Sequence, residues 1–279
     1  MKRKPEYLRK IVSSVRKDLE ERKAVAPFSE ILSMAKANPR RLNIRNSLGD
    51  GPGIIAEIKR ASPSRGWIRK DLDAGGTARV YAEGGACSVS VLTENRFFGG
   101  TLKDLSEAAA ACPDLPVLRK DFVLDEYMVA ESRAHGADLV LLIVGVVGEK
   151  TAELVRMAKE YGMEALVEVH DDEEMEIAAG SGATIVGINN RDLKTLRVDL
   201  DTAARLLPQA PPDAIKVVES GITSGADVKK YFAMGADAFL VGEAIVRSPD
   251  GAETIRKLKQ YVYNTERGKE RTEWKRRSS

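Results

Sequence analysis

The sequence predicts a (β/α)8 TIM barrel with an N-terminal helical extension. From Ile54 onward, eight short apolar runs alternate with eight segments of helical periodicity. That is the pattern of a strand–helix unit repeated around a closed barrel. The first run begins apolar on both faces, as parallel strands covered on each side do. Several helical segments close on a Gly-Ala step: Gly85-Ala86, Gly136-Ala137, Gly182-Ala183 and Gly235-Ala236. Glycine ends the helix in the left-handed conformation, and alanine permits tight helix-to-strand packing. The alternative is an open doubly wound sheet, which would show fewer strands and a GxGxxG turn after the first; here that turn reads SPSRG.

In chain order, residues 1–48 form a charged extension, 49–262 the barrel and 263–279 a basic, polar tail. Tyr7, Leu8, Ile11, Val15 and Leu19 recur at helical spacing and predict an amphipathic helix from Glu6 to Lys23. A second helix, Phe28 to Ala37, follows Pro27. Their apolar stripes dock on the barrel or on a second copy, so a monomer is expected and a dimer is the alternative. Asn46 to Gly53 is a turn-rich entry to the first strand. The strands are IIAEIK (54–59), SVSVL (88–92), PVLRK (116–120), DLVLLIV (138–144), EALVEV (164–169), TIVGIN (184–189), IKVVES (215–220) and AFLVG (238–242). The helices between and after them run Thr77–Gly84, Leu102–Cys112, Asp125–His135, Glu149–Tyr161, Asp172–Ser181, Asp199–Leu207, Ser224–Met234 and Ala252–Val262.

Composition removes several classes of function. A net charge of +2 with 31% charged residues does not point to nucleic acid. The start, MKRKPEYLRK, has no apolar signal core, and no apolar run reaches the roughly 18 residues of a membrane span. Cys87 and Cys112 lack disulfide-framework or metal-ligand spacing, which fits the cytoplasm, and both read as small core residues. With two histidines and no clustered Cys or Asp, no metal site is expected. His170 reads as a hydrogen-bonded structural residue at a strand end, and His135 as a cation at a helix C-terminus.

The strand ends carry the chemistry. Barrel enzymes place reactive groups at the C-terminal ends of their strands. Strand 1 ends in Glu57 and Lys59, strand 3 in Lys120, strand 5 in Glu168, strand 6 in Asn189 followed by Arg191, strand 7 in Glu219 and Ser220, and strand 8 in Gly242 and Glu243. Lys120, Glu168 and Glu219 share a strand face with Leu118, Leu166 and Val217, so all can converge on the mouth. Burial pulls a lysine pKa down while neighbouring glutamates push it up, a balance expected to suit an ammonium acting as general acid near neutral pH. Structural ion pairs would not need so many strands to deliver charge to one place. The turns at Gly221 and Gly242, with Ser62 in the first loop, suit a phosphate. Phe97, Phe98 and Phe122 wall an aromatic substrate or cover core.

These motifs, IIAEIKRASPSRG, SVLTENRFFGG, LRKDFVLDEY, LVEVH, GINNRDL, VESGI and VGEA, resemble those of the indole-3-glycerol phosphate synthase family from about Pro5 through Val262. The resemblance implies a cofactor-free, metal-free enzyme of tryptophan biosynthesis acting on a small phosphorylated substrate, 1-(2-carboxyphenylamino)-1-deoxyribulose 5-phosphate. It casts Lys120 as general acid, and Glu168 as the proton carrier of dehydration, a step otherwise assigned to Lys59. Lys59 also holds the substrate carboxylate. Glu57 and Glu219 orient the lysines, Asn189 and Arg191 hold substrate, and Phe122 walls the aromatic pocket. Ser62, Gly221, Gly242 and the Glu243 backbone surround the phosphate, and Ser220 is a further substrate-binding residue. Arg65 and the basic tail have no place in that scheme. The competing readings are another phosphate-binding barrel, such as a phosphoribosylanthranilate isomerase with a Cys or Asp acid–base pair, and a barrel scaffold with altered or no activity.

Overall fold

Parallel strands covered on both sides need apolar residues throughout, and the eight runs supply them. The computed structural model describes residues 6–63 and 66–260. Its barrel strands are β1 (Gly53–Ile58), β2 (Ser88–Leu92), β3 (Val117–Lys120), β4 (Leu139–Ile143), β5 (Glu164–Val169), β6 (Ile185–Asn189), β7 (Ile215–Glu219) and β8 (Ala238–Val241). All neighbours pair in parallel, and β1 closes the ring by pairing with both β2 and β8. The expectations for the start of the extension (1–5), Ser64, Arg65, the end of the last helix (261–262) and the tail (263–279) lie outside the described residues.

The principal helices are α1 (Glu6–Val25), α2 (Phe28–Ala37), α3 (Ala74–Glu83), α4 (Leu102–Ala111), α5 (Glu126–Ala134), α6 (Thr151–Glu160), α7 (Asp172–Gly180), α8 (Asp201–Leu206), α9 (Gly225–Ala233) and α10 (Gly251–Gln260). Side-chain caps start several of them at the strand-to-helix turns. Thr101 with Asp104 and Ser224 with Asp227 form capping boxes, and Asp125 and Asp171 each cap one further helix. The four Gly-Ala glycines all adopt positive φ, from 75° to 113°, which an L side chain rarely tolerates. Short helical turns at Ile44–Ser47, Asn95–Phe98, Val144–Val147 and Glu243–Val246, and a hairpin of Ala61–Ser62 with Gly66–Trp67, add to the sequence expectation. Pieces this short leave no periodicity to read.

The extension runs from the mouth of the barrel to its base. Leu8, Ile11, Val15 and Leu19 of α1 are buried, as are Ile31 and Ala35 of α2. Below them Arg40 bridges to the buried Asp138 at 2.6 Å and donates to the carbonyls of Ala109, Cys112 and Leu115. Asp138 also accepts from the amides of Leu42 and Val117, each at 3.1 Å. One buried carboxylate thus fixes the incoming chain and the start of β3. His135 departs from its sequence reading as a cation. Burial, with Arg119 nearby, lowers its pKa, and Ser106 Oγ meets its Nδ1 at 3.0 Å, so it serves as a neutral partner. Cys87 and Cys112 are buried free thiols.

Candidate active site

Side-chain parity decides what the barrel turns inward. Lys120 of β3, Glu168 of β5 and Glu219 of β7 all meet inside. Lys120 Nζ lies 3.1 Å from Glu168 Oε2 and 2.9 Å from Glu219 Oε2. Asn189, directly across the ladder from Glu219, donates to Glu168 Oε1 at 3.1 Å. On β1 and its continuation, Lys59 Nζ pairs with Glu57 Oε1 at 2.6 Å. Glu57, Glu168 and Glu219 are at most 5% exposed, so their charges are partnered rather than solvated.

A cavity of about 880 Å³ opens over this cluster, within the usual size for a small-molecule site. The residues cast in catalytic and substrate-binding roles all line it: Glu57, Lys59, Ser62, Lys120, Phe122, Glu168, Asn189, Arg191, Glu219, Ser220, Gly221, Gly242 and Glu243. Of the three phenylalanines, Phe98 and Phe122 line it, their ring centroids 6.2 Å apart. Phe97 instead packs edge-on against Tyr7. Arg191 donates from its amide to Asn189 Oδ1 and from its guanidinium to Leu196 O, each at 2.9 Å. It thereby pins the loop after β6 across the mouth. Ser220 takes a positive φ of 63°, and its carbonyl accepts from Asn190 Nδ2 at 3.0 Å.

The electrostatics correct one expectation. Burial opposes the Lys120 ammonium, but Glu219, Glu168 and Glu57 outweigh it and raise its pKa well above the ordinary lysine value. The near-neutral balance fails because three carboxylates face one amine. Burial also works against the Glu168 carboxylate, yet Lys120 and His170 hold it below the usual range. Glu219 is pushed up to about 7, because burial and the charge of Glu168 exceed the pull of Lys120. His170, raised to about 10, overcomes its burial by facing Glu168 and Glu174. Its Nε2 lies 3.2 Å from Glu168 Oε1 and its Nδ1 3.0 Å from Glu174 Oε2. The structural role read from sequence for His170 thus takes the form of an imidazolium behind Glu168.

Two glycines make room for these carboxylates. A Cβ on Gly187 would lie 2.4 Å from Glu219 Oε1, and one on Gly242 would lie 2.3 Å from Glu57 Oε1. Gly242 therefore has a steric reason to be glycine besides its place in the turn. Gly187→Ala is expected to fold normally, because the flexible end of Glu219 can yield. The shifted carboxylate should lower kcat about a hundredfold, the scale of a 1 Å misplacement. Melting and steady-state kinetics together check this.

Some lining residues escaped the sequence reading. Tyr7, Leu8 and Ile11 of α1 cover one side of the cavity, and Leu193, Leu196 and Val198 another. The helical stripe of α1 was visible, but not which surface it would cover. The 193–198 loop has no periodicity to place it. Gly187 sits inside an apolar run, where nothing marks the carboxylate arriving from the next strand.

Fold and site together define a (β/α)8 barrel enzyme equipped for acid–base chemistry. Among the described residues no cluster of three or more His, Cys, Asp or Glu could hold a metal, and no helix is long and apolar enough to cross a membrane. The family model for indole-3-glycerol phosphate synthase matches residues 8–258. Indole-3-glycerol phosphate synthase of Mycolicibacterium smegmatis is 46% identical over 250 residues, 89% of this chain and 92% of the relative. Indole-3-glycerol phosphate synthase 1 of Streptomyces coelicolor is 45% identical over 253 residues, 90% of this chain and 94% of the relative. Among solved structures, 3-hexulose-6-phosphate synthase from Salmonella typhimurium superposes with a TM-score of 0.60 at 20% identity, covering 75% of this chain and 98% of its own. That likeness concerns the barrel alone. The chain belongs to the indole-3-glycerol phosphate synthase family.

Proposed function

We propose that this cavity closes the indole ring of 1-(2-carboxyphenylamino)-1-deoxyribulose 5-phosphate, releasing carbon dioxide and water to give indole-3-glycerol phosphate for tryptophan biosynthesis. The observation that carries the assignment of roles is one ammonium, Lys120, held between two buried carboxylates at the cavity floor. The aromatic carbon bearing the carboxylate attacks the ribulose carbonyl carbon. Lys120 donates a proton to the carbonyl oxygen as the bond forms. A raised ammonium pKa suits that transfer, since the acceptor becomes alkoxide-like and strongly basic only as the bond forms. Loss of carbon dioxide restores the aromatic ring. Glu168, kept ionised by Lys120 and His170, then takes the proton lost from the adjoining ring CH2 and passes it to the departing hydroxyl, so that the C–O bond breaks with release of water. Glu219, its pKa raised by burial and by the charge of Glu168, lies 2.9 Å from Lys120 Nζ and can return a proton to the spent amine.

Lys59, braced by Glu57, holds the substrate carboxylate, with Asn189 and Arg191 fixing the sugar. Phe122, with Phe98 behind it, walls the anthranilate ring. Backbone groups at Ser220, Gly221, Gly242 and Glu243, with the Ser62 hydroxyl, receive the phosphate dianion. The reading also places the chain in the cytoplasm, acting as a monomer without cofactor, with the helical extension packed on a catalytic barrel. Mixing the chain with the anilino-ribulose phosphate should produce indole fluorescence at the same rate with and without EDTA; an absent signal contradicts the activity. Inorganic phosphate should compete with substrate, raising KM and leaving kcat unchanged. No competition at high phosphate would remove the phosphate assignment.

A further inference from the structure

Lys120 is presented by a strand whose opposite face is gripped by charge. Arg119 points outward from β3 into the layer between barrel and helices, where it is 1% exposed. Its Nε donates to Thr93 Oγ1 at 3.1 Å, its Nη2 to Asp121 Oδ2 at 2.9 Å and its Nη1 to Glu131 Oε2 at 3.0 Å. Met128 O and Ser132 Oγ accept from the same Nη1. Thr93 closes the ring by donating to Asp121 Oδ2 at 2.5 Å, and its amide donates to Lys120 O at 3.1 Å. Both chain neighbours of Lys120, and its own carbonyl, are thus held from outside. The other Glu131 oxygen accepts from Arg22 Nε of α1 at 2.7 Å, and α1 supplies Tyr7, Leu8 and Ile11 to the cavity.

We propose that Arg119, Thr93, Asp121 and Glu131 form a clamp that positions Lys120 for proton transfer, and that Arg22 couples this clamp to the helix roofing the cavity. The proposal rests on the reading of Lys120 as the acid. A bland alternative exists: a buried ion network that contributes only stability. Geometry favours positioning. The planar guanidinium fork fixes direction as well as charge, and its partners come from the residue after β2 (Thr93), from the residue after β3 (Asp121) and from α5. The groups that set the Lys120 charge lie on the opposite side of the strand. Glu57, Glu168 and Glu219 face Lys120, and His170 faces Glu168. Around the clamp, Glu94 faces Asp121, and His135 faces Arg119 and Glu131.

The test compares Thr93→Val, Glu131→Gln and Arg22→Met with the native chain, each checked for folding by thermal melting. Thr93→Val keeps the backbone amide and the side-chain volume while removing the hydroxyl, so it carries the test if Glu131→Gln does not fold. In Thr93→Val and Glu131→Gln, kcat should fall about tenfold with KM within about twofold, a fraction of the cost of a 1 Å displacement. The acid limb of the kcat profile should move up by roughly half a pH unit, because Glu168 and Glu219 lose part of a nearby cation. A network serving only stability would leave that limb in place. Arg22→Met should raise KM about fivefold and leave kcat unchanged, the pattern of lost uniform binding. Folded Thr93→Val with native kcat and an unmoved acid limb would overturn the clamp, and a native KM in Arg22→Met would overturn its link to α1. If Lys120→Met were itself near-normal, the reading of the acid would fail instead, so the two failures are distinguishable.

Discussion

Lys120→Met should lower kcat by about three orders of magnitude, within the range of a lost general acid, while the chain remains folded. Methionine spans nearly the same length and fills the space left by the lysine stem. The substitution strands two carboxylates, Glu168 and Glu219, which both bond the amine in the native protein. Breaking a buried pair usually costs about 3–5 kcal/mol. Here burial and the charge of Glu168 already push the Glu219 pKa up, so once the amine is gone it can take up a proton and relieve part of that penalty. The expected result is therefore a folded barrel with a modestly lower melting temperature and almost no turnover. Turnover within tenfold of native would remove Lys120 from the chemistry.

Glu168→Gln should lower kcat about a hundredfold for a different reason. The amide keeps the volume and can still bond Asn189 or Lys120, but it cannot carry a proton. Its cost in stability depends on pH. The folded carboxylate pKa is depressed, so the stabilisation is present above the ordinary glutamate pKa and is lost as pH falls through the lower folded value. The difference in stability between native and variant should therefore be largest at neutral pH and shrink in acid. Chemical denaturation at several pH values reads it. A difference that grew as pH fell would contradict the assigned charge state.

Much of this was legible because strands impose a period of two. Knowing that Leu118 and Lys120 share a face, and likewise Leu166 and Glu168, is enough to send the polar groups to one rim once the barrel is assumed. The Gly-Ala steps marked the returns from helix to strand, since positive φ there leaves little choice of residue. What stayed hidden depends on distance in three dimensions. Gly187 and Gly242 are glycine because a glutamate from a neighbouring strand fills the space of their missing Cβ, and no local pattern announces that. His170 looked like a lone histidine until Glu168 and Glu174 were seen on its two nitrogens. The Lys120 pKa direction required a count of carboxylates around it, and the sequence indicates only that several arrive nearby. Arg119, one residue from Lys120, is a charge inside a strand whose partners lie on other elements.

The central claim is that two proton carriers act in succession, Lys120 at ring closure and Glu168 at dehydration. A single-turnover, rapid-quench experiment that follows carbon dioxide release and indole fluorescence separately tests it most directly. Lys120→Met should suppress both signals together. Glu168→Gln should release carbon dioxide first and form indole later, with the decarboxylated, still hydroxylated intermediate accumulating between them. Carbon dioxide and indole appearing in step in Glu168→Gln would contradict the division of labour.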